Sequence, residues 1–410
     1  MNWLPRPLRG ERDTPMWVAL GVGLLLSIQP DDSSSPRLTV IAGLFIAFLA
    51  ARWLRLGWWG IAILLVAGIT LRLGVANHRA SDVLDVTADA VRQALLGLNP
   101  WGHGYITSRP AGAPFPYGPL ELLWYASAVG DPRQLELFVS CAILAFFAIR
   151  GRPVGLAVYA MAPTIILTSA DGSNDTSAGL FILVALVVAA KRPWLGAALL
   201  ALAVAFKPYA AAWVPAMIAY GGVPALVAFV GASVVVWAPS AVLWGLDSYW
   251  LSLRLADQAH RLAYWSTGVI WENITQRFAP HQLLDQIRLG VAAVVTLASL
   301  VVAKSVDRVI VAGAVIFIIV MFGGFWGSYA YLGAIAPILA WRLDDWLRLP
   351  VPEHVAVLPW APAAVEDEPE AVGVPETGGA GGLERAPRPM LHPAPAPAFV
   401  EPSQPTRGLP

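Results

Sequence analysis

The chain has 410 residues, 57% of them hydrophobic and only 13% charged, with a mean hydropathy of +0.62. Soluble domains carry about 25% charged residues, so the composition excludes an ordinary soluble protein and predicts an integral membrane one. The 27 basic and 27 acidic residues cancel, which argues against nucleic acid as a partner, and the single Cys141 excludes an intramolecular disulfide framework.

In chain order, Arg6, Arg9 and Arg12 precede the first apolar run and place the N-terminus in the cytoplasm by the positive-inside rule. No clean small-residue cleavage site follows, so no signal peptide is expected. Apolar segments fall at 15–28, 38–54, 57–76, 134–149, 153–169, 176–190, 194–220, 222–246, 286–303, 309–325 and 328–342. They predict an all-α, polytopic membrane helix bundle. Arg52 and Arg55, Arg150 and Arg152, Lys191 and Arg192, Lys304 and Arg308, and Arg342 belong inside on the same rule.

Alternating the spans between these clusters leaves two long outer loops, 77–133 and 247–285, and short outer links at 29–37, 170–175 and 323–328. Two conditions keep the parity. Segment 118–129 must not cross, and 194–220 must return to the side it left, as two half-length pieces meeting at Lys207-Pro208, where proline removes a helical hydrogen bond. A straight helix would instead leave Lys207 about 20 Å from either end, too far to snorkel. Residues 1–349 thus form one multi-pass domain, and the Pro/Ala-rich stretch 350–410, which cannot bury a core, is expected as a disordered cytoplasmic tail.

The first outer loop opens with "SDVLDVTADAVRQALLGLNPWGHGY". Ser81 is a good N-cap, and Gly97 with Asn99-Pro100 a good stop. Asp82, Asp85, Asp89, Arg92 and Gln93 share one arc of a helical wheel, with Leu84, Ala88, Val91 and Leu95 opposite. This predicts an amphipathic helix lying in the membrane interface, acids toward water. Acids in a first helical turn are also favoured by the helix dipole alone.

An aspartate just after an early span, an amphipathic helix, "G-x-N-P" plus an aromatic, then "F-x-Y-x-P" (Phe115, Tyr117) resembles the first outer loop of GT-C class glycosyltransferases. More narrowly, it resembles that of bacterial polyprenyl-phosphate-mannose-dependent mannosyltransferases. "GAALLALAVAFKPYAAAWVPAMIAY" resembles their Lys-Pro helix pair and "DGSNDTSAGL" their short outer "G-x-N-D" link. The resemblance spans roughly 70–345. It departs in having Trp101 where tyrosine is usual and in placing the loop after a third span.

The resemblance implies sugar transfer, with mannose the expected sugar. The donor would be a polyprenyl-monophosphate sugar and the acceptor a glycan or glycolipid, on the outer face of the cell membrane. Asp82 best matches the family's general base, and Asp85 is the alternative. A carboxylate can take the acceptor's proton as the C–O bond forms, and a base opposite the leaving phosphate inverts the anomeric centre. Candidates to hold that phosphate are Lys207, His103, Arg109, Arg254, His260 and Arg261.

Trp101, Tyr105, Phe115, Tyr117, Asn174 and Asp175 are candidates to line the site or contact the acceptor. Interfacial anchoring is the structural alternative for the aromatics, and helix capping for Asp171, Asn174 and Asp175. Asp82 and Asp85, at i and i+3, face one way as a divalent metal would require, but no further ligands cluster with them, so no cofactor or metal is expected. The competing function is a transporter or lipid-linked-sugar flippase. That would carry several ionisable residues at mid-membrane, where the sequence offers only Lys207 clearly.

Overall fold

The computed structural model describes residues 58–76, 81–109, 111–128, 131–258, 265–325 and 327–346. The first two apolar segments, His260, Arg261 and the tail expected at 350–410 lie outside the described residues. Within them the chain is an all-α bundle, 80% helical with 14 α-helices. In order these are α1 (Trp58–Gly74), α2 (Asp82–Leu95), α3 (Pro119–Ala126), α4 (Pro132–Ile149), α5 (Pro153–Met161), α6 (Pro163–Asp171), α7 (Asp175–Ala189) and α8 (Pro193–Phe206). A 3₁₀ turn (Pro208–Trp213) leads to α9 (Val214–Trp244), α10 (Leu246–Gln258), α11 (Thr267–Thr275), α12 (His281–Val302), α13 (Val306–Phe322) and α14 (Leu332–Trp346). Two short strands, β1 (Gly104–Tyr105) and β2 (Ala113–Pro114), pair antiparallel between α2 and α3.

Among the described residues, three helical runs are long and apolar enough to cross a membrane: α4, the run 208–244, and α12. Valines and leucines along α9 and α12 are exposed in numbers that water would not tolerate.

Proline starts many of these helices, where its missing N–H costs nothing; it opens α3, α4, α5, α6, α8 and the 3₁₀ turn. The same residue corrects one expectation. The segment 153–169 is two nine-residue helices, α5 and α6, bent by 64°. Pro163 has no N–H for the carbonyl of Tyr159. The donor comes instead from Arg72 on α1, fully buried, whose Nη2 lies 3.0 Å from that oxygen. Its other contacts are Gly68 O at 3.0 Å, Ser140 Oγ at 2.5 Å and the Tyr159 ring.

The expected hairpin forms. α8 ends at Phe206, Lys207 is extended, and residues 208–221 double back until Gly221 sits against Pro193. Gly222, at φ +64°, then breaks the run, and the rest of α9 passes back along the bundle. Segment 118–129 does not cross: α3 has only 8 residues.

α2 begins and ends as expected, with Ser81 Oγ accepting from Val83 N at 3.2 Å and Gly97 left-handed at φ +76°. Its inward face is different. Leu84, Val86, Thr87, Ala90 and Val91 are buried against the bundle, while Leu95 is exposed. The helix therefore packs on protein through a face turned toward Thr87, which includes Leu84 and Val91 of the expected stripe but leaves Leu95 outside it. The polar arc is covered by the following chain, which runs back along it. Tyr105 reaches Gln93, Thr107 donates to Asp89 at 2.9 Å, and Arg109 reaches Asp82 and Asp85.

The last carbonyls of a helix lack helical donors, and the segment 81–118 supplies three. Ser81 N donates to Asp171 O at the end of α6, Gly118 N to Phe206 O at the end of α8, and Asn99 Nδ2 to Trp244 O at the end of α9. The second long segment meets the link 323–328 at Trp265 N to Gly327 O and Gly268 N to Gly324 O. At the opposite end Arg152 pairs with Asp345, and Arg342 with Asp307 at 2.7 Å.

The second x of F-x-Y-x-P is Gly118, where a methyl would lie 2.1 Å from the carbonyl oxygen of Ala205. No rotamer change can clear a backbone atom. Gly118→Ala should cost about 1–3 kcal/mol, read as a lower unfolding temperature in detergent. An unchanged transition would show that the loop and the end of α8 do not meet this closely.

Candidate functional site

The turn between α6 and α7 is built for close approach. Gly172 ends α6 in the left-handed region at φ +74°, and Asn174 is also left-handed at φ +58°. A non-glycine residue with positive φ is uncommon, and asparagine tolerates it best. The turn aims Asn174 and Asp175 in different directions.

Asp175, at the start of α7, meets Lys207, just past the end of the neighbouring α8. Lys207 Nζ lies 2.6 Å from Asp175 Oδ1 and 3.1 Å from Ser173 O, with the two side chains only 2% and 3% exposed. Tyr209 donates to the same Oδ1 at 2.6 Å. The ammonium stands over the rings of Tyr117, 4.9 Å away, and Tyr209, 5.3 Å away. Such a cation–π contact is worth about 2 kcal/mol or more when desolvated.

Asn174 turns toward Glu121 on α3, its Nδ2 lying 2.5 Å from Oε1, which also accepts from Thr87 Oγ1 at 3.2 Å. Burial pushes the Glu121 carboxyl well above the ordinary carboxylate range, with Lys207 and the two donors opposing. A second buried acid, Glu136 on α4, accepts from Tyr125 OH at 2.6 Å, from Ser177 N at 3.1 Å and from Ser177 Oγ.

Asp82 lies beside this cluster at the start of α2. Its Oδ2 accepts from Arg109 N at 3.0 Å, while the Arg109 guanidinium sits 3.7 Å from Asp85. Tyr117 feels burial first, then Glu121, Tyr331, Asp175 and Asp82, and all of them raise its phenol's pKa well above the usual value.

The fold thus gathers Asp82, Tyr117, Asn174, Asp175 and Lys207, with Asp85 and Arg109 alongside. Trp101, Tyr105 and Phe115 are buried in an aromatic core beside this cluster, against which Tyr117 and Tyr209 pack. Trp101 packs edge-on against Trp244 and Tyr249 and donates its Nε1 to Tyr117 O at 2.9 Å. His103 rests on Tyr105 toward the far end of α2, its Nδ1 3.2 Å from Trp101 O. Arg254 is exposed on α10. Among the described residues, no three His, Cys, Asp or Glu side chains group as metal ligands.

Glu121 and Glu136 were not among the residues expected from sequence. Each stands as a lone acid in an apolar "LEL", and that isolation is the signal that could have found them. Beyond Tyr209 an apolar groove of about 340 Å³ opens between the 3₁₀ turn, α12 and α13, lined by Ala212, Leu289, Ala293, Phe317 and Val320. Neither a family model, a curated protein nor a solved structure matches the chain.

Removing one member of a buried pair strands the other's charge, at a cost of about 3–5 kcal/mol. Lys207→Met should therefore destabilise the protein, contrary to the neutral effect that an unpaired or snorkelling lysine would give. Asp175→Asn should do the same. In the double variant the losses should fall short of additivity by up to about 3 kcal/mol. Strictly additive losses in a denaturant titration would mean that the two charges do not act as a pair.

Proposed function

We propose that the protein is a multi-pass membrane glycosyltransferase acting on the outer face. It would move a sugar, with mannose expected, from a polyprenyl-monophosphate donor to a glycan or glycolipid acceptor. The observation that supports this reading best is the convergence of Asp82, Tyr117, Asn174, Asp175 and Lys207 from three separate segments onto one end of the bundle. All five are among the residues that the sequence resemblance singles out.

In this reading Asp82 takes the proton of the acceptor hydroxyl while the bond from the sugar's anomeric carbon to the phosphate oxygen breaks. The leaving phosphate carries away the electron pair and needs a cation. Arg109 is exposed at Asp82 and Asp85, and Lys207 supports it from beneath Tyr117. The apolar groove beyond Tyr209 suits a hydrocarbon chain. The transporter reading gains from one finding: Glu121, Glu136, Asp171 and Asp175 are buried along with Lys207, so Lys207 is not alone inside.

Labelled polyprenyl-phosphate sugars presented to membranes holding the protein separate the two. Asp82→Asn keeps an acceptor for Arg109 N but no base, and should lose roughly 10²–10⁴-fold in transfer with expression unchanged. If wild type transfers nothing, the transporter reading replaces this one. Sidedness has its own test. Ile106 is 89% exposed, and Ile106→Cys in a Cys141→Ala background should react with an impermeant thiol reagent in intact cells. Reaction only after lysis would place the site on the wrong face.

A further inference from the structure

Among the buried polar atoms without a hydrogen-bond partner are Glu121 Oε2 and Asn174 Oδ1. Both are acceptors, and both belong to the one pair of side chains already joined at 2.5 Å through Nδ2 and Oε1. Neither residue is exposed by more than 1%. Two orphaned acceptors on one pair are costly if both stay bare, and a single hydrogen between them satisfies both. A carboxylic acid and a primary amide meet side-on in this way, each donating once to the other.

We infer that Glu121 is a proton-binding site: its Oε2 carries a hydrogen that it donates to Asn174 Oδ1, closing a cyclic acid–amide pair.

The rest of the geometry agrees. Oε1 is then the carbonyl oxygen, and its two lone pairs are taken by Asn174 Nδ2 and Thr87 Oγ1. The ionisable groups around it come from every neighbouring element. Lys207, after α8, favours the carboxylate, while burial and Glu136 of α4 favour the acid. Tyr117, Tyr125 and Tyr249 all bear on it as neutral phenols. Lys207 is already held by Asp175, so the acid form of Glu121 leaves that ion pair undisturbed. The bound proton also fixes Asn174 in its left-handed turn, immediately before Asp175. Glu121 is therefore a positioning residue for the ion pair, and this holds whether the site transfers sugars or moves a solute.

The sign of the pH dependence follows. A carboxyl that holds its proton more tightly folded than unfolded stabilises fully below the ordinary carboxylate range. That contribution is lost as pH rises toward the folded group's own, higher pKa.

The test is infrared difference spectroscopy on the full chain in lipid nanodiscs, with unfolding temperatures measured from about pH 5 to pH 8. Wild type minus Glu121→Gln should contain the carbonyl stretch of a protonated carboxylic acid, and the subtraction removes any contribution from Glu136 or Asp171. Asn174→Gly, which accepts φ +58° without strain, should shift that band because the hydroxyl loses its acceptor. Glu121→Gln can make both bonds of the pair, so it should fold and lose less stability than wild type as pH rises. A carboxylate band in place of the acid band overturns the inference, and so does an acid band that Asn174→Gly leaves in place. Should Glu121→Gln fail to accumulate, the Asn174→Gly shift decides alone.

Discussion

The ion pair between Lys207 and Asp175 is the constraint around which this end of the bundle is arranged. Two charges withdrawn from water cost several kcal/mol each, and only close geometry with further hydrogen bonds offsets that. Each local irregularity nearby serves that geometry. The break after Phe206 delivers the lysine from a turn instead of a helix face. The left-handed Gly172 and Asn174 swing the aspartate across to meet it. Ser173 O and the rings of Tyr117 and Tyr209 take up further directions around the ammonium, and the Tyr209 hydroxyl donates to the aspartate. Asp82 and Glu121 are then positioned by loops that lean on the same turns.

What could be read from the sequence was what depends on one residue and its immediate neighbours. A lysine followed by proline in an apolar run forces a break, so the hairpin was legible. Ser81 before a periodic stretch fixes a helix start, so α2 was too. The inward face of α2 was not, because a wheel ranks leucine above threonine. Thr87 goes inward only because a buried Glu121 waits for its hydroxyl. The partner of Lys207 was equally hidden, since the pairing with Asp175 depends on how α7 and α8 lie against each other.

The aromatic residues mark a different limit. Trp101 and Phe115 combine apolar bulk with a motif, a combination that suits a membrane surface, a substrate wall or a packed core alike. Here they form a core under the loop, and Trp101 spends its one donor on Tyr117 O. The Asn-Pro-Trp turn therefore works as an anchor, tying the loop to α9 through Asn99. Proline at 163 was visible, but its consequence was not, because healing the break needed an arginine from a helix far away in sequence.

That arginine and that proline are each a defect alone. A helix carbonyl without a donor and a buried guanidinium without a carboxylate in hydrogen-bond reach are both penalised, and here one answers the other. The tolerance of either position is thus conditional on its partner. Restoring an N–H at 163 would give that oxygen a helical donor beside Arg72, while losing Arg72 alone would leave it bare. Loss of Arg72 should therefore cost less where residue 163 carries an N–H than in the present background, so the two positions constrain each other although they lie on different helices.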